Sequence, residues 1–431
     1  MADKSKRPDP QPKKADKVQK RGFSIKPHLL SWAVFVPTVV IVFISLIPIV
    51  FPALIARTTS PFQATLFSPN VVNPFQPGEL AAPLVILNLV ILAIGISYYK
   101  RSKFKAYFEK IASFEISQKQ ALIGIIVILA IFAALTVGTL STEESWTDYI
   151  NVKNRVQSWD ISQFTSSFEP HFRYLLLSTS LHVFGNMRVI PFIISMTLLV
   201  QTYFFTKKIT GKRFAGMISM ALVLQSDIFV SYSTTASYEN SWILLYLFSQ
   251  YMVLKFWPSS PAPYFLSIFS KPLTLAFLPM NLFFIARSQL PKKSKMYSLG
   301  TYGVIMVVIA AAAVSYKTNF TGGAITLDAS QFWQGFAAMA MQLRFDYIVV
   351  FFLLPLTVML FFASRKGILY SDSVMIFSLI MLLTAPLLTG FTTQTNEPYR
   401  FVSLSMFFAI GVGVLLSNKT RDSIKPSTVA S

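Results

Sequence analysis

Residues 29–56 contain no charged side chain, and neither do residues 81–99 or 121–140. Runs of this length approach the ~20 residues an α-helix needs to cross the hydrocarbon core of a bilayer. Lipid cannot hydrogen-bond a peptide group, so a chain built from such runs is confined to helices that satisfy their own backbone. The fold class that follows is all-α, a polytopic transmembrane helical bundle. Composition agrees: 53% of the residues are hydrophobic and 13% charged, about half the charge of an ordinary soluble domain.

Uncharged or nearly uncharged runs place spans near 29–56, 81–99, 121–140, 189–206, 214–233, 241–256, 297–316, 347–363, 374–391 and 401–417. The segment 261–286 decides the count. Taken as a single span it puts Arg287, Lys292, Lys293 and Lys295 on the same side as the acidic loops. Taken as two short legs turning at Lys271-Pro272, it returns them to the basic side, and a proline after the lysine favours such a break. About 12 crossings result, two of them short and paired in a hairpin. Basic clusters at 100–110, 207–213 and 365–367 then share one side. By the bias of lysine and arginine toward the cytoplasm, that side is inside, with both termini. Expected localisation is the cell membrane, multi-pass.

Four regions are expected. Residues 1–28 are a basic, proline-containing cytoplasmic tail of disordered composition. No small-residue cleavage site follows a short apolar core, which disfavours a cleaved signal peptide. Residues 29–120 hold two additional N-terminal spans and a basic loop, 121–417 the main transmembrane module, and 418–431 a cytoplasmic C-terminal tail. The net charge of +20 sits in the short connections between spans, so it implies membrane lipids as partners and no nucleic acid. The absence of cysteine removes thiolate chemistry, and three scattered histidines do not make a zinc site. No phosphate-binding glycine loop is present.

The external loop 141–188 carries the chemistry. It opens with "STEESWTDY", placing Glu143, Glu144 and Asp148 at the mouth of a span, and continues with aromatics interleaved with charge. A carboxylate there is a candidate general base at a membrane-surface site; the bland alternative is an acidic helix N-terminus capped by Ser141 or Thr142. Arg188, Lys271 and Arg400 lie at external ends of spans, where a lone cation is costly unless paired or hydrated. His171, Tyr174, Tyr238, Glu239 and Tyr399 sit on the same external segments as candidate acceptor or cavity residues, and Asp227 falls inside the fifth span.

In order and texture, "EESWTDY" (143–149), "FEPHFRYLLLSTSLHVFG" (168–185), "NMRVIPF" (186–192), "SYSTTASYEN" (231–240), "FSKPLTLAF" (269–277) and "NEPYRF" (396–401) resemble the GT-C glycosyltransferases. That superfamily includes the protein O-mannosyltransferases and the lipid A aminoarabinose transferases. The resemblance covers roughly residues 121 to 417. It implies a GT-C-like bundle and an enzyme that moves a sugar from a polyprenyl-phosphate donor to a lipid, glycan or protein acceptor on the extracytoplasmic face. It maps the general base onto Glu144, with Glu143 second and Asp148 assisting, and the donor phosphate onto Arg188, Lys271 and Arg400. The family's usual Asp-Glu pair is Glu-Glu here. Some members use a divalent ion, Mg or Mn, and others none, so no cofactor is certain and no metal ligand is assigned. From another class, the alternative is a secondary transporter or flippase for an anionic lipid or solute, which would place ionisable groups near the bilayer midplane; a non-catalytic subunit of a membrane complex is a third.

Overall fold

The structure, a computed structural model, describes residues 27–56, 75–100, 109–145, 148–165, 170–315, 327–391, 398–417 and 419–420. Among these the chain is helical throughout, and its sole β pairing is an isolated bridge between Ile368 and Thr420. Sixteen helices suffice to follow it: α1 (Pro27–Val50), α2 (Ala81–Lys100), α3 (Gln118–Thr136), α4 (Tyr149–Gln157), α5 (His171–Phe184), α6 (Val189–Thr210), α7 (Arg213–Leu224), α8 (Asp227–Tyr232), α9 (Ser241–Lys255), α10 (Pro261–Ser270), α11 (Leu278–Arg287), α12 (Lys292–Ser315), α13 (Ala329–Leu343), α14 (Tyr347–Arg365), α15 (Ser371–Phe391) and α16 (Val402–Leu415).

Six segments are long and apolar enough to cross a membrane: Leu29–Val50, Gln118–Ser141, Val189–Thr210, Lys292–Ala311, Tyr347–Arg365 and Ser371–Phe391. The remaining apolar runs are helical where hydropathy places them but shorter or broken. The fifth run, 214–233, divides into α7 and α8 at Gln225-Ser226, where the Ser226 hydroxyl accepts from the Phe229 amide and starts a new helix. Asp227 is therefore not buried inside a continuous span; it is exposed in the first turn of α8.

Sequence dictates most of the helix ends. Ser117 and Gln120 cap α3 reciprocally, each side chain accepting from the other's backbone N–H. α5 and α6 stop at Gly185 and Gly211, whose φ values of 68° and 79° are left-handed and suit glycine. The hairpin forms as two legs: α10 ends at Ser270, Lys271 is extended, and a 3-10 turn over Pro272–Phe277 leads into α11. Such a break frees backbone carbonyls where no water reaches them. Two buried tyrosines take them up, Tyr264 donating to the Thr274 carbonyl at 3.1 Å and Tyr246 to that of Phe277 at 3.2 Å.

α16 is the central post. Every residue from 401 to 411 is buried, and the helix packs against α6, α7, α14 and α15. The N-terminal helices belong to the same core: α1 lies against α13, α14 and α15, and α2 against α14. By contrast α3 turns Leu122, Ile126 and Leu135 outward, each more than half exposed, a face for lipid. Two further helices, α4 and α5, pack on each other at one end of the bundle through Val156 and Leu177, both fully buried.

Close helix contacts rely on small residues, as in other membrane bundles. A Cβ on Gly335 of α13 would lie 2.3 Å from Thr389 Oγ1 and 2.4 Å from Pro386 Cα of α15. Gly335→Val is expected to lower stability in detergent by about 1–3 kcal/mol through overpacking, measured as a fall in melting temperature. Gly300→Ala, where nothing lies within 4 Å, serves as the neutral control.

Candidate functional site

Residues Ser233–Asn240, "STTASYEN", connect α8 to α9, and every one of them is buried. A buried connection must find partners for its peptide groups. Here charged side chains from three other segments supply them.

Glu144 follows the 3-10 turn Val137–Ser141 and lies in non-helical chain before α4, so it is not part of a capped helix N-terminus. Its side chain is 1% exposed. Oε1 accepts from the Ala236 N–H; Oε2 accepts from the Ser237 N–H at 3.2 Å and the Ser237 Oγ–H at 2.7 Å. Arg188, directly before α6, places Nε 3.4 Å from Oε1 of the same carboxylate. Its guanidinium also donates to the Thr234 carbonyl at 3.0 Å, to Thr234 Oγ1 at 3.0 Å and to the carbonyls of Thr139 and Thr142. The fixed fork of arginine suits this clustering of acceptors, which a lysine could not match. Glu144 and Arg188 are thus spent on holding the loop to the ends of α3 and α6.

A second ion pair closes the other side. Arg173 of α5 donates through Nη2 to the Ala236 and Ser237 carbonyls, with its Nε 3.5 Å from Glu239 Oε1. That Nε contact is an ion pair without hydrogen-bond geometry. Glu239 accepts at Oε2 from the N–H and Oγ–H of Ser241, both at 2.7 Å. Burial pushes the Glu239 carboxyl above its ordinary value, against the pull of Arg173.

Tyr238 projects from the loop into an aromatic and cationic stack. Its ring lies on Tyr399 with centroids 4.2 Å apart and planes 11° from parallel. The Lys271 ammonium sits 3.5 Å from the Tyr399 centroid; with Tyr238 covering one face, it occupies the other, in cation–π contact. Arg400 Nε reaches the Tyr399 hydroxyl at 3.5 Å. Burial holds the Lys271 ammonium down at about 8; Tyr399 and Glu239 oppose that shift and Arg400 adds to it.

In front of this stack lies an open cleft of about 530 Å³, lined by Asp148, Arg155, Arg173, Tyr174, Tyr238 and Tyr399 among others. An aspartate at the N-terminus of a helix ordinarily caps it. Asp148 does not cap α4; it accepts instead from the Tyr238 hydroxyl at 2.9 Å. That leaves a carboxylate facing the cleft, beside two arginines.

The candidates from sequence therefore divide. Asp148, Tyr174, Tyr238 and Tyr399 line the cleft. Lys271 and Arg400 meet around Tyr399, and Glu239 lies buried behind Tyr238. Glu144 and Arg188 form the buried pair beneath the loop. Glu143 points away, 75% exposed and paired with Lys153 at 2.8 Å. His171 is buried, its Nδ1 facing the Trp159 indole N–H at 3.4 Å, so it tethers the chain before α5 rather than lining the cleft. Trp146, two residues after Glu144, lies outside the described residues. Arg155 and Arg173 are not singled out by the sequence pattern; both sit on helices within the acidic loop 141–188.

The adjacent pair Glu143 and Glu144 does not form a site for a divalent ion. Both oxygens of Glu144 already accept N–H or O–H donors and face Arg188, while Glu143 turns to Lys153. Among the described residues no three carboxylates or histidines gather as metal ligands. In comparisons with known proteins, no family model, no curated protein and no solved structure matches the chain.

Removing one partner of a buried ion pair strands the other. Glu144→Ala is expected to destabilise the protein by about 3–5 kcal/mol, read as a lower melting temperature with increased protease cleavage at the 233–240 loop. Glu143→Ala should leave both readouts at wild-type values.

Proposed function

We propose that this protein is a GT-C-like integral membrane glycosyltransferase that moves a sugar from a polyprenyl-phosphate donor to an acceptor hydroxyl at the Asp148 cleft. The observation that carries the reading is the cleft itself: a carboxylate uncommitted to helix capping, facing two arginines, with Lys271 and Arg400 behind one aromatic wall. The charge pattern of the connections favours an extracytoplasmic position for it, with both termini inside and about twelve crossings, several of them made by broken helices.

In the proposed reaction the acceptor hydroxyl loses its proton to a carboxylate as its oxygen bonds to the anomeric carbon. The bond from that carbon to the phosphate oxygen breaks, and the polyprenyl phosphate leaves carrying the electron pair. A positioned base and fixed cations serve the two ends of this displacement. Among the three acidic candidates, Asp148 is favoured as base because it alone borders the cleft, hydrogen-bonded to a tyrosine that keeps its orientation. Glu144, carrying four contacts to the loop and Arg188, is assigned the task of positioning Ser237 and Tyr238. Arg155 and Arg173 are favoured as first contacts of the donor phosphate, with Lys271 and Arg400 completing the cationic wall once Tyr399 moves.

The competing transport reading needs an ionisable group deep in the bundle. Asp227 is exposed; Asp346, buried between the hydroxyls of Ser226 and Ser405, is the group that reading would use.

The test is transfer from short-chain polyprenyl-phosphate sugars to hydroxyl acceptors by purified protein. Asp148→Asn is expected to lower kcat by about 10²-fold or more, the usual contribution of a general base, with donor KM little changed. Wild-type protein inactive with every such donor, or Asp148→Asn as active as wild type, would overturn the proposal. Asp346→Asn, which should not alter transfer, would abolish transport if that reading held. Donor affinity should also depend on pH. Lys271 is protonated below about 8, so binding is full there and weakens as pH rises through that value. In Lys271→Gln that pH step is expected to shrink and move upward, because Tyr399, held down at about 8 against its burial by Lys271 and Arg400, loses one of the cations that lower it.

A further inference from the structure

At the other end of α6, a helix of 22 residues and hence ~33 Å long, a second cleft of about 210 Å³ is assembled from five separate segments. Lys208 comes from the last turn of α6, Leu254 from α9, Gln289 and Leu290 from the connection between α11 and α12, Tyr370 from the connection between α14 and α15, and Lys419 from the chain after α16. Its lining combines apolar side chains, Val253, Leu254 and Leu290, with the two lysines.

Several features distinguish this cleft from an ordinary basic surface. Lys419 is held in place by its neighbours. Its carbonyl accepts from the Leu369 N–H at 3.1 Å and its own N–H donates to Ser417 Oγ, which in turn donates to the Thr210 carbonyl at 3.2 Å. The Ile368–Thr420 bridge completes the tie. Tyr370, buried beside it, has φ of 65°, a left-handed conformation that a bulky residue adopts only when its surroundings impose it. The Lys419 ammonium donates to the Lys208 carbonyl at 2.7 Å, which leaves two of its three N–H donors for another acceptor. Among the described residues no carboxylate pairs with Lys208 or Lys419. Burial and the repulsion of Lys208 lower the Lys419 ammonium, a penalty that an anion between the two would relieve.

We propose that this second cleft binds a phosphate group through Lys208 and Lys419, and that the apolar side chains of Leu254 and Leu290 take the carbon chain attached to it, as in the headgroup and first acyl carbons of an anionic phospholipid. Two lysines act here as point charges, which suits a rotating phosphate better than a planar carboxylate. Basic recesses between membrane helices on the side carrying the positive loops are where anionic headgroups collect. This inference does not depend on the glycosyltransferase reading, since the two clefts share no residue.

The experiment compares purified wild-type protein in phosphatidylcholine nanodiscs with and without phosphatidylglycerol, and in detergent with added inorganic phosphate. The readouts are lipid retained in native mass spectrometry and the shift in melting temperature. Phosphatidylglycerol is expected to be retained and to raise the melting temperature, and Lys208→Gln and the Lys208→Gln, Lys419→Gln pair to weaken retention at least tenfold. Lys207→Gln should retain lipid as wild type does, because that ammonium lies over Tyr203 instead. Stabilisation by inorganic phosphate equal to that by the lipid would keep the phosphate site and identify its ligand as a soluble anion. Stabilisation by neither, or wild-type retention in Lys208→Gln, overturns the proposal. If Lys419→Gln does not fold, the exposed Lys208 position decides alone.

Discussion

The buried contact between Glu144 and the Ser233–Asn240 loop is the constraint on which the acid-bearing end of this molecule depends. Two peptide N–H groups and a hydroxyl converge on one carboxylate, and Arg188 neutralises it while binding carbonyls from three positions. Charge buried without such partners would cost far more than the fold can spare. With them, a loop that joins two helices becomes as fixed as the helices themselves. Tyr238 can then hold Asp148 on one side and cover Tyr399 on the other.

Rigidity at that end contrasts with the discontinuities beneath it. The α7–α8 break and the Lys271 hairpin interrupt helices that lipid would otherwise require to be continuous. Each break is satisfied by protein: Ser226 caps α8, and Tyr246 and Tyr264 serve the open carbonyls of the hairpin. The breaks bring otherwise remote polar groups to one place. Lys271 stands against Tyr399 because its leg ends there, and Asp346 at the start of α14 joins the hydroxyls of α7–α8 and α16 through Ser226 and Ser405.

Much of the site was legible as residue type and location. Acids behind the third apolar run, cations at Arg188, Lys271 and Arg400, and the aromatics Tyr238 and Tyr399 all stand out because charge is scarce in a chain of this composition. Their roles were not legible. Glu143 and Glu144 are adjacent in sequence, yet one is three-quarters exposed and the other almost fully buried. Non-helical chain sends neighbouring side chains in different directions, and hydropathy carries no information on which direction is inward. Asp148 stands at the N-terminus of α4 without capping it, and only the position of Tyr238 reveals where its carboxylate is directed.

The sequence by itself determined the class of fold, the positions of the apolar helices and the break at Lys271-Pro272, because each rests on short-range chemistry: hydropathy and the missing N–H of proline. Tertiary structure alone decided which carboxylate is a scaffold and which faces a cleft, why Arg173 matters, and that Lys208 and Lys419 meet across 211 positions. The physical reason is that a charge is assigned its role by the partners that replace water around it. In a bundle of broken helices those partners come from segments far apart in the chain.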